Sequence, residues 1–251
     1  MAKIVVVGGT GHIGSRVVSK LLEHGHDAVA ASRKTGVDTM TGDGLAQALA
    51  GADVVVDTTQ APSYAPDVVL DFFTTSTRNQ LAAEKDAGVK HHVALTVVGT
   101  NRPQDISYFH GKAAQEKLIR ESGVPYTLVH ATQSFEFAPA IVFTSTHDDI
   151  ISVADALIQP IAVEDMATAV SRAAAAEAVN GSIEVAGPET FLIEDFVRRT
   201  LAASGDQRPV VSSSESTYFG ARIEERTLLP LEGAQTSTTT LIEWLATNTK
   251  P

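Results

Sequence analysis

The sequence predicts an α/β fold built on a doubly wound parallel sheet. Three observations predict it. β-branched and apolar runs at Lys3 to Val7, Asp27 to Ser32, Ala52 to Thr58, His91 to Val97 and Tyr126 to His130 read as buried strands. Stretches of helical apolar spacing lie between them, at Ser15 to Leu22, Gly44 to Leu49, Asp67 to Ala87 and Gly111 to Ser122. Glycine or proline closes several of these, Gly88 ending one helix and Pro125 preceding a strand. Strands alternating with helices imply right-handed βαβ units, which place both helix layers over one parallel sheet.

The element around which the rest is arranged is the turn after the first strand. Gly8, Gly11 and Gly14 recur every third residue directly between strand and helix. Gly8 permits the tight exit, Gly11 removes a Cβ where a pyrophosphate approaches, and Gly14 lets helix and strand pack closely. The positive end of the helix then faces the phosphates. At the end of the second strand, where NAD users place an acidic residue, the chain carries Ser32, Arg33 and Lys34. Two cations and a hydroxyl suit a 2′-phosphate, which predicts NADP as cofactor. Val37 to Thr39 reads as a short third strand, with Asp38 either accepting from the adenine amino group or serving in a turn. Thr58, Thr59 and Gln60 leave the carboxyl end of the next strand, where parallel sheets bind ligands.

The chain has 251 residues, 43% of them apolar, which supports one large domain, or one domain with a small appended lobe, forming one structural unit. We expect an NADP-binding core over 1–133. Residues 134–251 supply the remaining strands, including Ala156 to Ala162 and Ser182 to Ala186, and a substrate-binding lobe. In that part Glu164 to Ala176 and Ile193 to Ala203 read as helices, 205–240 as polar and irregular, and Leu241 to Ala246 as a last helix with Trp244. A net charge of −11 without a basic run argues against nucleic acid or an anionic membrane. With no cysteine, disulfides and thiolate metal sites are excluded. The eight histidines show no metal-binding spacing, so no metal is expected; His130, ending a strand, is either a proton donor or a hydrogen-bonded structural residue. A first strand at residue 3 and no apolar run of about eighteen residues lead to the expectation of a cytoplasmic protein, monomer or homodimer.

Tyr108 and Lys112 stand four apart at the entrance of a helix and so share a face. A lysine there lowers the phenol's pKa and hydrogen-bonds the nicotinamide ribose, while the tyrosine gives a proton to a carbonyl oxygen as hydride arrives at carbon. With Gly8-Gly9-Thr10-Gly11-His12-Ile13-Gly14, the run Tyr108-Phe109-His110-Gly111-Lys112 resembles the short-chain dehydrogenase/reductase superfamily. Lys112 to Val129, Val163 to Ala167 and Val185 to Glu189 are similar to its atypical, NmrA-like branch.

The resemblance implies a Rossmann fold binding NADP through Gly8, Gly11 and Gly14, with Thr10, His12 and Ile13 offering backbone N–H groups and Lys112 holding the nicotinamide ribose. Reductases of the superfamily also use a Ser or Thr at the end of the fifth strand. The candidates are Thr96 and Thr100, with Val97 and Val98 filling the intervening places. Thr132, following the sixth strand, is expected beside the nicotinamide with Phe135 as an apolar wall; Phe137 reads as core. Such a pocket suits a small aromatic, quinone or enone. The reading is an NADP-dependent oxidoreductase acting on a small apolar carbonyl, enone or quinone, with Lys112, Tyr108 and Thr96 as catalytic residues. A non-catalytic NADP-sensing regulator and an epimerase or isomerase using the cofactor transiently remain the alternatives.

Overall fold

A computed structural model describes residues 2–102 and 105–248. In chain order the elements are β1 (Lys3–Val7), α1 (Gly14–Glu23), β2 (Asp27–Ala31), α2 (Leu45–Leu49), β3 (Val54–Asp57), α3 (Pro66–Ala87), β4 (His91–Val97), α4 (Ser107–Glu121) and β5 (Tyr126–Ala131). They continue with α5 (Ala138–Ser145), β6 (Thr146–His147), β7 (Ile150–Ala154), β8 (Leu157–Ile158), α6 (Val163–Ala175), β9 (Gly181–Ala186), β10 (Phe191–Leu192), α7 (Ile193–Ala203), β11 (Val210–Ser213), β12 (Gln235–Thr236) and α8 (Leu241–Asn248).

The central sheet has seven strands in the order β2-β1-β3-β4-β5-β9-β12. β1 pairs in parallel with β2 on one side, Lys3 opposite Asp27, and with β3 on the other, Ile4 opposite Val54. The chain therefore steps outward to β2 and then returns past β1 to β3. That reversal is a topological switch point, and it opens a crevice at the carboxyl ends of β1 and β3. This is the Rossmann arrangement that the alternating pattern predicts.

The chain divides into two compact units. The first takes in residues up to Val97 with Ser107–His130 and Met166–Ile183. Its core layers follow from the sequence pattern. Val5, Val7, Val55, Leu45 and Leu49 form one cluster, and Leu81, Ala94, Ile119 and Leu128 form another. α3 starts on Pro66, whose missing N–H costs nothing at a helix start, and stops at Gly88 with φ +69. α3 packs on α4. Gly111 permits this approach, because a Cβ there would lie 2.5 Å from Val69 Cγ1 and 3.0 Å from Phe73 Cδ2. The next residue on α4, Lys112, is thereby brought over the Phe73 ring.

The second unit takes in Val98–Ile106, Ala131–Asp165 and the residues from Glu184 onward. It holds a three-stranded sheet, β11-β7-β6, and a two-stranded one, β10-β8. Phe135 packs against Trp244 with ring centroids 5.5 Å apart, and the indole N–H donates to Glu136 at 3.0 Å. Phe135, Pro139, Val142, Phe143, Leu201 and Trp244 contribute to the wall of a cavity of about 680 Å³.

Three expectations are corrected. Val37 to Thr39 is not a strand: Asp38 Oδ1 accepts from the Met40 N–H at 2.8 Å and the Asp38 N–H reaches the Asp43 carbonyl at 2.9 Å, so the backbone closes a turn instead of a ladder. Ala156 to Ala162 yields only the two residues of β8, since Pro160 has no N–H to continue it. Beyond Phe137 the chain forms the helix α5, started by Pro139. Within 205–240, read as irregular, lie the short strands β11 and β12. Among the described residues no helix is long and apolar enough to cross a membrane, and no group of three or more His, Asp and Glu residues could hold a metal ion.

Candidate functional site

The loop from β1 to α1 is shaped by contacts that only glycine allows. Gly8 sits at φ +78, and a Cβ on it would meet the Thr58 carbonyl oxygen at 2.8 Å. A Cβ on Gly14 would lie 2.3 Å from the Gly8 oxygen and 2.6 Å from Thr58 Oγ1. Gly11 closes the turn by donating to the Gly8 carbonyl at 2.8 Å. α1 has Ile13 at its N-cap, without a side-chain cap or an acidic residue in its first turn. The N–H groups of His12, Ile13 and Gly14 find no acceptor among the described residues. Unsatisfied donors at the positive end of a helix, on an exposed glycine loop, make an anion cradle of the kind a pyrophosphate fills.

Two further segments border that cradle. Thr10 Oγ1 donates to Ser32 Oγ at 2.9 Å, tying the loop to the end of β2. Ser32 caps a single 3₁₀ turn, Arg33 to Thr35: its Oγ accepts the Lys34 N–H, and Thr35 Oγ1 accepts the Ser32 N–H at 2.8 Å. Arg33 and Lys34 project from this turn into solvent, with no acidic partner among the described residues. On the other side, Thr58 donates both its N–H and its hydroxyl to the Val7 carbonyl at 2.9 Å. Thr59 Oγ1 is buried without a hydrogen-bond partner. Gln60 Oε1 accepts from the Tyr108 hydroxyl at 2.8 Å.

Tyr108 is half-buried, edge-on to Phe73 at 5.7 Å and tilted against Tyr64 at 5.8 Å. Burial pushes its phenol above the ordinary value, Tyr64 adds to this, and the bond to Gln60 only partly offsets it. The expectation that Lys112 lowers the phenol is therefore overturned: the Phe73 and Tyr64 rings pack against the Tyr108 ring, and the lysine's hydrogen bonds run elsewhere.

Lys112 is 3% exposed. Its Nζ donates to the Leu95 carbonyl at 2.9 Å and to Gln115 Oε1 at 2.9 Å, and lies 4.2 Å from the centre of the Phe73 ring. Burial lowers its pKa to about 8, with Asp57 and Glu116 opposing the shift. Thr96 is buried at the end of β4, and its hydroxyl donates to Glu116 Oε1 at 2.7 Å. The same oxygen faces His130 Nε2 at 3.1 Å, and Arg120 reaches the other carboxylate oxygen at 3.0 Å. His130 is thus a paired, buried residue.

The first unit gathers Gly8, Thr10, Gly11, His12, Ile13, Gly14, Ser32, Arg33, Lys34, Thr58, Thr59, Gln60, Tyr108, Lys112 and Thr96. Asp38 belongs to the same unit, with one carboxylate oxygen used in its own turn. Thr100, Thr132 and Phe135 belong to the second unit. There the Thr132 N–H donates to Val185 O at 3.0 Å, while Thr132 Oγ1 and both amide atoms of Gln133 are buried and unpartnered. Sequence reasoning missed Asp57, Gln80, Gln115 and Glu116. A charged residue ending an apolar strand, and polar residues three and four positions after Lys112 on one helix, were the available signals.

The profile of the NAD(P)H-binding family matches residues 8–184. The chain belongs to that NAD(P)H-binding family. It is 36% identical over 142 residues to an NAD(P)H azoreductase of Xenophilus azovorans, covering 50% of this chain and 46% of the relative. The alignments span less than half the length of the curated relatives matched. Among solved structures it resembles a short-chain dehydrogenase/reductase superfamily protein of Agrobacterium tumefaciens with bound NAD, at TM-score 0.69 and 18% identity, covering 98% and 95% of the two chains. It also resembles the NADPH-dependent quinone oxidoreductase QOR2 of Escherichia coli, at TM-score 0.67 and 20% identity, covering 97% and 98%. At these identities the structural likeness establishes the fold.

Proposed function

We propose that the protein is an NADP-dependent oxidoreductase that passes hydride to a small apolar carbonyl, enone or quinone. One observation carries the reading: the free N–H groups of His12, Ile13 and Gly14 stand on a loop tied through Thr10 and Ser32 to the exposed cations Arg33 and Lys34. Backbone donors suit the pyrophosphate, and a guanidinium with an ammonium suits a 2′-phosphate where an acidic residue would select NAD. Similarity to an azoreductase and a quinone oxidoreductase supports an apolar acceptor.

When bound, NADPH supplies the hydride. The chain holds and protonates. Lys112 has three N–H donors, two of them spent on Leu95 and Gln115, which leaves one for a ribose hydroxyl. Tyr108, its phenol held above the ordinary value, keeps its proton at neutral pH and can give it to the oxygen that gains charge as the carbonyl is reduced. Thr96 is buried on Glu116 while Tyr108 is only half-buried, so Tyr108 is the better-placed proton source of the two.

The test is NADPH consumption by purified protein against a panel of quinones, enones, azo dyes and polar aldehydes. Turnover with the apolar members, reduced about 100-fold or more in Lys112→Met, supports the reading. Turnover confined to polar aldehydes contradicts the substrate class. Tight binding with no consumption of any acceptor replaces the enzyme with the sensor.

A further inference from the structure

Lys112 does not stand alone in its burial. Asp57, the last residue of β3, is 1% exposed. Its Oδ2 accepts from Gln115 Nε2 at 2.8 Å and from Gln80 Nε2 at 3.1 Å, and its Oδ1 accepts from the Thr59 N–H at 2.8 Å. Gln115, fully buried, turns its other amide atom to Lys112: Oε1 accepts from Nζ at 2.9 Å. A carboxylate, an amide and an ammonium thus form one chain of hydrogen bonds through the core, in which Gln115 can point only one way. An amide has one accepting and one donating end, so carboxylate and ammonium fix both.

From this geometry we infer that Asp57 and Gln115 are positioning residues, holding Lys112 charged and aimed, and coupling it to the Thr58–Gln60 loop through the Thr59 N–H. A buried ammonium persists only with a nearby negative charge and satisfied donors. The groups facing Lys112 are Asp57 on β3 and Glu116 on its own helix, with the Phe73 ring of α3 beneath it. Asp57 bears on Lys112 through the amide, and Glu116 is already shared among Thr96, His130 and Arg120. Loss of the amide therefore leaves Nζ with the Leu95 carbonyl and an aromatic face. The inference rests on the proposed cofactor role of Lys112 for its functional meaning, while its effect on Lys112 is independent of any cofactor.

Two measurements test it. The titration of Lys112 is followed by NMR of labelled lysine side chains in the free protein, the signal assigned by its loss in Lys112→Met. It is compared in wild type, Gln115→Met and Asp57→Asn. Gln115→Met keeps the length and loses both hydrogen bonds; Asp57→Asn keeps the shape and sets donor against donor. The midpoint, near pH 8 in the wild type, is expected to fall by about one pH unit or more in each variant. NADPH affinity is then measured across the same pH range. It is expected to weaken where Lys112 loses its proton, and to do so at lower pH in the variants, with roughly tenfold weaker binding at pH 8. An unshifted midpoint in a folded variant overturns the inference. A shifted midpoint in a protein whose wild type binds no NADPH leaves the positioning intact and overturns the cofactor reading. If Gln115→Met does not fold, Asp57→Asn is read by the same two criteria.

Discussion

Arg33 is the residue whose removal separates one cofactor from the other. It is exposed, with no ion-pair partner among the described residues, on a turn already fixed by Ser32 and Thr35, so truncating it leaves the turn intact. Arg33→Ala is expected to weaken NADPH binding about tenfold while leaving NADH binding unchanged, as measured by calorimetry, because only the 2′-phosphate loses its fork of donors. Gly14 makes the opposite case, where space and not charge decides. A methyl group there runs into the Gly8 carbonyl of the loop itself and into Thr58 Oγ1 at the end of β3. Gly14→Ala is expected to destabilise the fold by about 1–3 kcal/mol in denaturant unfolding and to abolish binding of either nucleotide.

At the scale of elements, β4 and α3 carry a buried ion pair that serves the fold. His92 Nδ1 and Glu84 Oε1 are 2.8 Å apart with both side chains fully buried. Burial alone would lower the imidazole, and the Glu84 carboxylate overrides it, so His92 stands above its ordinary value. Glu84→Gln is expected to cost about 3–5 kcal/mol in unfolding free energy, since it strands a buried imidazole. Its neighbour His91 behaves in the opposite sense. Burial lowers its pKa to about 4, with the His92 charge adding to this. The unfolded chain therefore binds more protons between pH 4 and the ordinary histidine value of about 6.5. The His91 contribution is present above that window and is lost as the pH falls through it. His91→Gln is expected to show a shallower loss of stability on acidification from pH 6.5 to 4, smaller by up to about 3 kcal/mol.

For the molecule as a whole, what could be read in advance follows from distance along the chain. The glycine loop, its strand and its helix lie within the first 23 residues, so their spacing was visible in the sequence, while the part of the steric limit that Thr58 sets on Gly8 and Gly14 was not. Arg33 and Lys34 follow the loop after one helix and one strand, α1 and β2, so their place at the end of β2 was readable from the chain order. The set around Lys112 was not, because Asp57, Gln80 and Gln115 come from β3, α3 and α4 and meet only when those elements pack. The direction of the Tyr108 shift was misread for the same reason: a lysine four residues away is visible in sequence, while Phe73 and Tyr64, the rings around the phenol, are not. Val37 to Thr39 misled because β-branched residues favour a strand until a turn, made by the Asp38 side chain, takes the backbone hydrogen bonds. The proposed function depends above all on the glycine loop and basic turn acting together as a site for a phosphorylated dinucleotide. Calorimetric titration of the purified protein with NADPH and NADH in parallel, at low and moderate salt, tests this most directly. NADPH binding about tenfold or more tighter than NADH, with the gap narrowing as salt rises, is the predicted result; equal affinities, or no heat with either nucleotide, would contradict it.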